Sequence, residues 1–287
     1  MQGVLSIQSQ VVFGHVGNSA AQFALQCLGL EVWGVPTVLY SNHPGHGGFA
    51  GAPVPATTLD TLITGLAERD LLRGCRAVLS GYLGAADHVD AVARAVGRAR
   101  SASPQALFCC DPVMGDTPKG TYVRPGIPEG LAAHLVPLAD ILTPNAFELG
   151  LLTGAPITDP ATALQAARTL PCPVTVVTSV PVPAQPGRLG CLAATAERAW
   201  LCSVERLEQV PPGTGDLFAA LFLGHVLRAE PLPIALGRAA GQVDAVLRFR
   251  PGNGTHGVLP EMPLIDAQAA FKDDLHAAVK PVEPFEN

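Results

Sequence analysis

The sequence predicts an α/β domain in which helices cover both faces of a mostly parallel sheet. Short apolar runs alternate along the chain with helical patterns, as is typical of parallel sheets. The 287 residues are 48% hydrophobic and 15% charged, a composition that can bury a sizeable core. No tandem repeat or long polar linker interrupts the pattern. We therefore expect residues 1–287 to form one domain.

The N-terminal segment predicts a strand, a glycine-containing loop and a helix. Residues 3–7 are apolar and indicate a buried strand, and a helix is expected over 18–28. Asn18 is the expected N-cap of that helix, and Gly29 is the expected residue just beyond its C-terminal end.

The next segment predicts sheet structure and a second helix. The run EVWGVPTVLY indicates one or two strands with a break at Pro36, because proline cannot donate a hydrogen bond in a sheet. The polar, glycine-rich loop SNHPGHGGFAG follows. A helix over 59–72 is expected after it, with Thr58 as its cap.

The remaining elements continue the alternation. Strands are expected over 77–80, 106–110, 141–143 and 174–178, and helices over 86–102, 145–152 and 161–170. An antiparallel edge pair is expected over 189–194 and 199–203, two long helices over 215–228 and 232–248, and a final helix with a peripheral tail over the last thirty or so residues. Ligands of such sheets bind at the carboxyl ends of the strands, where the strand order reverses.

Composition excludes several classes of function. The formal net charge is −6 and no Lys/Arg run forms a basic stripe, so we expect no nucleic-acid or membrane partner. No signal-peptide pattern and no apolar stretch of about 18 residues is present, so we expect a cytoplasmic protein. The seven cysteines lack C-x-x-C spacing and predict free, buried thiols in a reducing compartment.

The segment PPGTGDLFAALFLGHVLR, residues 211–228, carries the sharpest chemical signal. Two glycines flank Thr214, and Asp216 lies in the first turn of an almost wholly apolar helix. Unpaired N–H groups at such a helix start attract an anion. An aspartate beside an anion site is suited to removing the proton of a hydroxyl that attacks a phosphoryl group. On this segment alone, a simple capping role for Asp216 is the more common explanation.

Two further segments place polar side chains just after predicted strands. In CCDPVMGD, Asp111 and Asp116 follow an apolar run and could hold Mg²⁺ through water beside nucleotide phosphates. In LTPNAFELGLLTG, Asn145 and Glu148 lie three residues apart at a helix start, which also fits a capping box. His15, His43 and His46 lie in the early loops, but without an H-x-x-x-H pair a metal site there is not expected. No Walker A motif and no protein-kinase signature is present.

The order of these motifs resembles the pyridoxal kinases of the ribokinase-like superfamily. The resemblance rests on SIQSQVVFGHVGN, SNH, SGYLG, DPVMGD, PNAFEL and GTGDLFAALFL, runs from residue 5 to about 228, and fades beyond about 250. It implies a ribokinase-like fold, ATP-dependent phosphorylation of pyridoxal with Mg²⁺, and a homodimer. A short flap over residues 116–127 would shield the site from water. Vitamer preference and a role for a monovalent cation stay open.

The resemblance also implies a role for each motif residue. Asp216 matches the catalytic base and a substrate contact, and Gly213, Thr214 and Gly215 match its anion hole. The substrate pocket would be formed by Ser9, Val16, Val38, Tyr40 and Tyr82. ATP would be bound by Asp111, Asp116, Tyr122, Thr143, Asn145, Glu148, Thr178 and Ser179, with Asp111 and Glu148 contacting the metal mostly through water.

One departure and two alternatives accompany this interpretation. Pro44 follows SNH where family members commonly have Thr, and proline offers neither hydroxyl nor N–H. We hypothesise that His46 supplies a replacement polar contact. The alternatives are a hydroxymethylpyrimidine kinase of the same superfamily, whose members tend to have Cys at the Asp216 position, and a non-catalytic pyridoxal phosphate-binding protein.

Overall fold

A ten-stranded sheet organises the residues that the computed structural model describes, 2–248 and 280–285. Its strands are β1 (Gly3–Phe13), β2 (Glu31–Asn42), β3 (Gly51–Pro53), β4 (Cys75–Ser80), β5 (Leu107–Cys110), β8 (Ile141–Leu142), β9 (Val174–Pro181), β10 (Arg188–Ala194), β11 (Ala199–Glu205) and β12 (Glu283–Pro284). A separate hairpin contains β6 (Gly115–Asp116) and β7 (Gly120–Thr121). The helices are α1 (Asn18–Cys27), α2 (Ala56–Glu68), α3 (Asp87–Ala102), α4 (Ile127–Gly130), α5 (Ala146–Thr153), α6 (Pro160–Ala167), α7 (Thr214–Leu227) and α8 (Leu232–Arg248).

The strand order reverses at β1. The order across the sheet is β3-β2-β1-β4-β5-β8-β9-β10-β11-β12; the strands from β2 to β9 are parallel, and antiparallel pairs lie at both edges. The strand that follows β1 in the chain, β2, pairs with one side of β1, whereas β4 pairs with its other side. Such a reversal opens a crevice at the carboxyl ends of the central strands. The predicted α/β class with an antiparallel edge is confirmed.

Helices bury apolar side chains against both faces of the sheet. On one face, α1, α7 and α8 pack around residues such as Leu25, Phe222 and Leu236. On the other face, α2 and α3 pack around residues such as Ile63 and Phe108, and α5 and α6 extend this layer over β9 and β10. The helix α7 is buried almost all round, which explains its apolar sequence and fixes the position of its N-terminus.

Several local predictions need correction. The strand β2 continues through Pro36 without a break. The helix α2 begins at Ala56, so Thr58 lies inside it and not at its cap. Gly17, with φ of 53°, is the residue that precedes α1; Asn18 is already helical and its side chain is buried. The expected C-terminal helix falls mostly outside the described residues, while β12 was not anticipated.

Candidate active site

The N-terminus of α7 lies beside the loop that joins β1 to α1. Gly213 precedes α7 with φ of 90°, a left-handed conformation that glycine adopts without strain. Two residues into the helix, Asp216 accepts a hydrogen bond of 2.8 Å at Oδ2 from the backbone N–H of Gly17. The hydroxyl of Thr214 donates to the carbonyl of Pro211 at 2.8 Å and so steadies the turn before the helix. The predicted base therefore lies next to the glycine loop of the first unit.

The environment of Asp216 suits proton transfer near neutral pH. Burial raises its pKa to about 6, and the hydrogen bond from Gly17 opposes that rise. A general base works best when its pKa lies near the operating pH. Asp216 can therefore be ionised at pH 7 and still accept a proton.

Asp111 is buried and directly follows β5. It lies close enough to Asp216 for the two carboxyl groups to interact electrostatically. Its Oδ1 accepts a hydrogen bond of 3.1 Å from the hydroxyl of Thr143. Burial, followed by the negative charges of Glu148 and Asp216, raises the pKa of Asp111 well above its usual range. The three carboxyl groups thus interact electrostatically at the carboxyl edge of the sheet.

Glu148 joins α5 to the strand end after β5. Its Oε1 accepts from the N–H groups of Met114 at 2.9 Å and Gly115 at 3.5 Å, and its Oε2 accepts from the N–H of Asn145 at 2.9 Å. Asn145 caps α5 through the N–H of Glu148 and donates from Nδ2 to the carbonyl of Gly115 at 2.8 Å. The predicted capping box is confirmed, and it fixes the segment that carries Asp116.

The carboxylates fit a magnesium ion held with nucleotide phosphates. Within residues 2–248 and 280–285, no three His, Cys, Asp or Glu side chains lie close enough to chelate an ion by themselves. Mg²⁺ usually keeps several waters and takes only one or two protein carboxylates together with substrate phosphates. Asp111 is such a carboxylate, and Oδ1 of Asp116 is buried without a hydrogen-bond partner. A divalent cation would offset the charge gathered there.

The expected nucleotide-contact residues, Thr178 and Ser179, lie in the C-terminal half of β9, beside the N-terminal end of α5. The N–H of Thr178 donates to the carbonyl of Pro144 at 3.0 Å, and Thr178 forms a parallel bridge with Asn145. Ser179 is exposed and has φ of 56°, an uncommon conformation for a residue other than glycine. The structure therefore brings Thr178 next to Asn145 and leaves Ser179 exposed.

Ser9 lies at an irregularity in the pairing of β1 with β2. The register shifts between Gln8 and Gln10, so Ser9 alone lies opposite two residues of β2, Thr37 and Val38, which form a bulge. The side-chain amide of Asn18 donates to the carbonyls of Gln8 and Val35, at 3.2 Å each, beside this bulge. Bulges commonly re-aim a side chain next to an active site. The Asn18 side chain therefore links β1 to β2 next to Ser9, a role that its sequence position, typical of an N-cap, does not indicate.

A small apolar cluster, called the apolar wall below, forms around the C-terminal parts of β1 and β2. Its members are Val11, Val16, Val38 and Tyr40, with Tyr82 packed against them. The sequence had singled out every member except Val11, which belongs to the unpredicted extension of β1. Phe49 also escaped prediction; its ring lies 4.4 Å from that of Tyr40, centroid to centroid.

The hairpin of β6 and β7 begins the expected flap. The N–H of Tyr122 donates to the carbonyl of Met114 at 3.0 Å. Burial, then the charges of Glu148 and Asp116, raises the pKa of Tyr122. At the hairpin turn, Nζ of Lys119 forms an ion pair with Oδ2 of Asp116 at 3.2 Å. The flap thus lies next to the carboxylate region.

The loop after β2 forms a short helical turn at Pro44. The Nδ1 atom of His43 accepts from the N–H of Gly45 at 3.1 Å and caps this turn. The ring of His46 lies edge-on to Phe13, with 6.0 Å between ring centroids. A contact from His46 to substrate stays a prediction, as do the ligand contacts of the other residues.

Comparison with known proteins identifies the family. The family model described as phosphomethylpyrimidine kinase matches residues 50–260. A pyridoxal kinase PdxY from Deinococcus radiodurans is 44% identical over 96% of this chain and 94% of its own length. A pyridoxal kinase PdxY from Rubrobacter xylanophilus is 46% identical over 93% of each chain.

Solved structures agree with these sequence matches. The pyridoxal kinase of Leishmania donovani in complex with ADP and pyridoxamine superposes with a TM-score of 0.89, at 31% identity over 100% of both chains. The same enzyme with ADP and pyridoxine gives 0.89, at 32% identity over 99% of each chain. Motif order, fold and these similarities together show that the chain belongs to the pyridoxal kinase family, within the ribokinase-like fold.

Proposed function

We propose that this protein transfers the γ-phosphoryl group of ATP to the 5′-hydroxymethyl group of pyridoxal and forms pyridoxal 5′-phosphate. Pyridoxine and pyridoxamine are related substrates. The observation that carries the proposal is the position of Asp216: it lies at the N-terminal end of α7 and is held by Gly17, next to Ser9 and the apolar wall. A pyridine ring against that wall would direct its hydroxymethyl group towards Asp216.

In the proposed mechanism, Asp216 accepts the proton of the hydroxymethyl group as its oxygen attacks the γ-phosphorus, and ADP leaves with the electrons of the broken P–O bond. Backbone N–H groups of Gly213, Thr214 and Gly215 stabilise the negative charge on the transferring group. Mg²⁺, when bound near Asp111 and, through water, Glu148, would neutralise phosphate charge. The flap with Tyr122 would exclude water and so suppress hydrolysis of ATP. Thr143, Asn145, Thr178 and Ser179 would position the nucleotide.

Two alternatives remain distinguishable by experiment. A hydroxymethylpyrimidine kinase would use the same phosphoryl-transfer end, and a non-catalytic protein would bind pyridoxal phosphate without turnover. The acidic side chain at position 216 and the pyridoxal kinase relatives favour pyridoxal. ATP consumption with pyridoxal, pyridoxine, pyridoxamine and hydroxymethylpyrimidine, measured in parallel, tests the proposal. Phosphorylation of hydroxymethylpyrimidine alone, or of none of the four, would refute it.

We also propose a homodimer, formed through the outer face of β1 and β2. Val11 and Tyr40 are register partners that face the pocket, so their neighbours along each strand face the other way. Val12 is 90% exposed and Leu39 is 53% exposed on that outer side. Light scattering should show a dimer for the wild type and a monomer for the Val12→Lys, Leu39→Lys double variant. A wild-type monomer would contradict the proposal.

We further propose that the enzyme acts in the cytoplasm. Within the described residues, no helix is both long and apolar enough to span a bilayer. All seven cysteines are free thiols, which supports a reducing compartment such as the cytoplasm. We also propose that residues 1–287 act as one kinase domain.

A further inference from the structure

His88 is a fully buried histidine that the proposed mechanism does not use. It lies in the first turn of α3. Its Nδ1 atom accepts a hydrogen bond of 3.3 Å from the N–H of Gly84, in the loop of residues 81–86 that joins β4 to α3 and carries Tyr82. Its Nε2 atom lies 2.7 Å from the carbonyl oxygen of Val54, directly after β3. A carbonyl oxygen can only accept, so Nε2 is the donor of this second bond.

Thr37, in β2, provides a second link to the same loop. Its hydroxyl donates to the carbonyl of Tyr82 at 2.7 Å, and its own carbonyl accepts from the N–H of Val54 at 2.9 Å. Thr37 is fully buried, like His88. Together with the two bonds of His88, these bonds form a closed circuit of four hydrogen bonds, from the loop through α3 and the end of β3 to β2 and back.

The loop that carries Tyr82 also packs closely on the apolar wall. A Cβ atom at Gly84 would overlap Cγ1 of Val38 and would lie 3.2 Å from Cβ of Pro53. Val38 belongs to the apolar wall, and Tyr82 packs against the same cluster. A shift of the loop would therefore move Tyr82 relative to the rest of the wall, and the circuit of hydrogen bonds opposes such a shift.

We propose that His88 and Thr37 are positioning residues for pyridoxal, because they hold Tyr82 where the substrate ring packs. This inference rests on the proposed function. Neither residue is exposed, so both act through the loop and not by contact with substrate. Removal of either side chain leaves a buried backbone group of the loop without its partner, and the loop must shift to satisfy it. The effect falls on the binding of pyridoxal, since the proposed ATP-binding residues lie on other elements.

The test compares the KM for pyridoxal with the KM for ATP in variants of both residues. His88→Leu removes both hydrogen bonds and should raise the KM for pyridoxal by about fivefold to thirtyfold, with the KM for ATP within about twofold of wild type. Thr37→Val is nearly isosteric, removes only the hydroxyl and should have the same selective effect. His88→Asn keeps an acceptor for the N–H of Gly84 and should return the KM for pyridoxal towards the wild-type value.

Two controls separate positioning from a general loss of stability. His225 is a second fully buried histidine, bonded to Gln242 between α7 and α8 and outside the apolar wall. His225→Leu should lower Tm and leave the ratio of the two KM values unchanged. In a Tyr82→Ala background, His88→Leu should have little further effect on the KM for pyridoxal, because the side chain that it positions is gone.

A parallel rise of both KM values in His88→Leu, or an equally selective rise in His225→Leu, would overturn the inference. So would a full additional effect of His88→Leu in the Tyr82→Ala background. If His88→Leu does not fold, Thr37→Val decides through the same ratio, and an unchanged ratio there would exclude the positioning role. Failure of the wild type to phosphorylate any B6 vitamer would instead refute the proposed function itself.

Discussion

The backbone N–H of Gly17 donates a hydrogen bond of 2.8 Å to Oδ2 of Asp216, although 199 residues separate the two in the chain. Gly17 has φ of 53°, and a Cβ atom at this position would overlap both the backbone and the hydroxyl of Ser9. Only glycine allows this close approach. The predicted base and the predicted ring contact are therefore linked through a single glycine at the switch point of the sheet.

Replacement of Asp216 with Asn should abolish most turnover and spare binding. The amide still accepts the Gly17 hydrogen bond through its oxygen but cannot take up the substrate proton. We expect kcat for pyridoxal to fall by about 10²–10⁴, with the Kd of pyridoxal nearly unchanged in a fluorescence titration. Asp90→Asn is the control, since Asp90 is an exposed first-turn aspartate of α3. A loss of less than threefold in Asp216→Asn would exclude a base at this position.

The pH dependence of the reaction should report the same carboxyl group. Because burial raises the pKa of Asp216 to about 6, the base is protonated below that pH. We expect kcat/KM to rise as pH increases through about 6 and then to level. The residual activity of Asp216→Asn should lack this limb. Persistence of the limb in the variant would assign it to another group, such as Glu148.

The raised pKa of Asp216 also predicts a stability effect. The folded-state pKa of about 6 exceeds the ordinary value of 3.8, so folding favours the protonated form and the ionised carboxylate costs stability. The contribution of this group falls as pH rises from about 4 to about 6. Asp216→Asn should therefore raise Tm relative to the wild type at pH 8 and lose that advantage near pH 4. An equal Tm difference at both pH values would contradict the shift.

The pattern of apolar residues along the sequence was enough to predict the helices and strands that pack only against the hydrophobic core. The helix α8 has the bounds expected from its pattern, and Asp216 lies in the first turn of α7 as expected. The extension of β1 to Phe13 gave no such signal, because Val11 faces the pocket and Val12 faces solvent. Phe49 gave no signal for a related reason: its significance depends on the packing of its ring against Tyr40, and such a contact is not encoded in local periodicity.

Replacement of Glu148 with Gln should cost stability and weaken nucleotide binding. The carboxylate accepts N–H groups at both oxygens, whereas an amide must direct its NH₂ group at one of them. One buried donor would lose its partner, at a cost of about 1–3 kcal/mol in the free energy of unfolding. We expect urea denaturation to show this loss and the KM for ATP to rise several-fold, because Asn145 and Gly115 would shift together.

Asp159→Asn provides the matched control for Glu148→Gln. Asp159 caps α6 through the N–H of Thr162 in the second capping box, and it is not among the proposed site residues. Asn caps helices about as well as Asp, so we expect little change in stability and none in the KM for ATP. If Glu148→Gln behaved like this control, Glu148 would not be the residue that positions Asn145 and Gly115 for nucleotide binding.

Replacement of Asn18 with Asp tests whether the bulge positions Ser9. The Asn18 amide donates to the carbonyls of Gln8 and Val35, and a carboxylate would instead place negative charge against both oxygens. We expect the KM for pyridoxal to rise at least several-fold. The KM for ATP should stay within about twofold, because the proposed ATP-binding residues lie in or after β5, β8 and β9, not on β1 or β2. Thr61→Val, which removes an exposed side-chain hydrogen bond from α2, serves as the control for a general loss of stability. An equal rise in both KM values would show that Asn18 supports the whole fold and not the ring pocket.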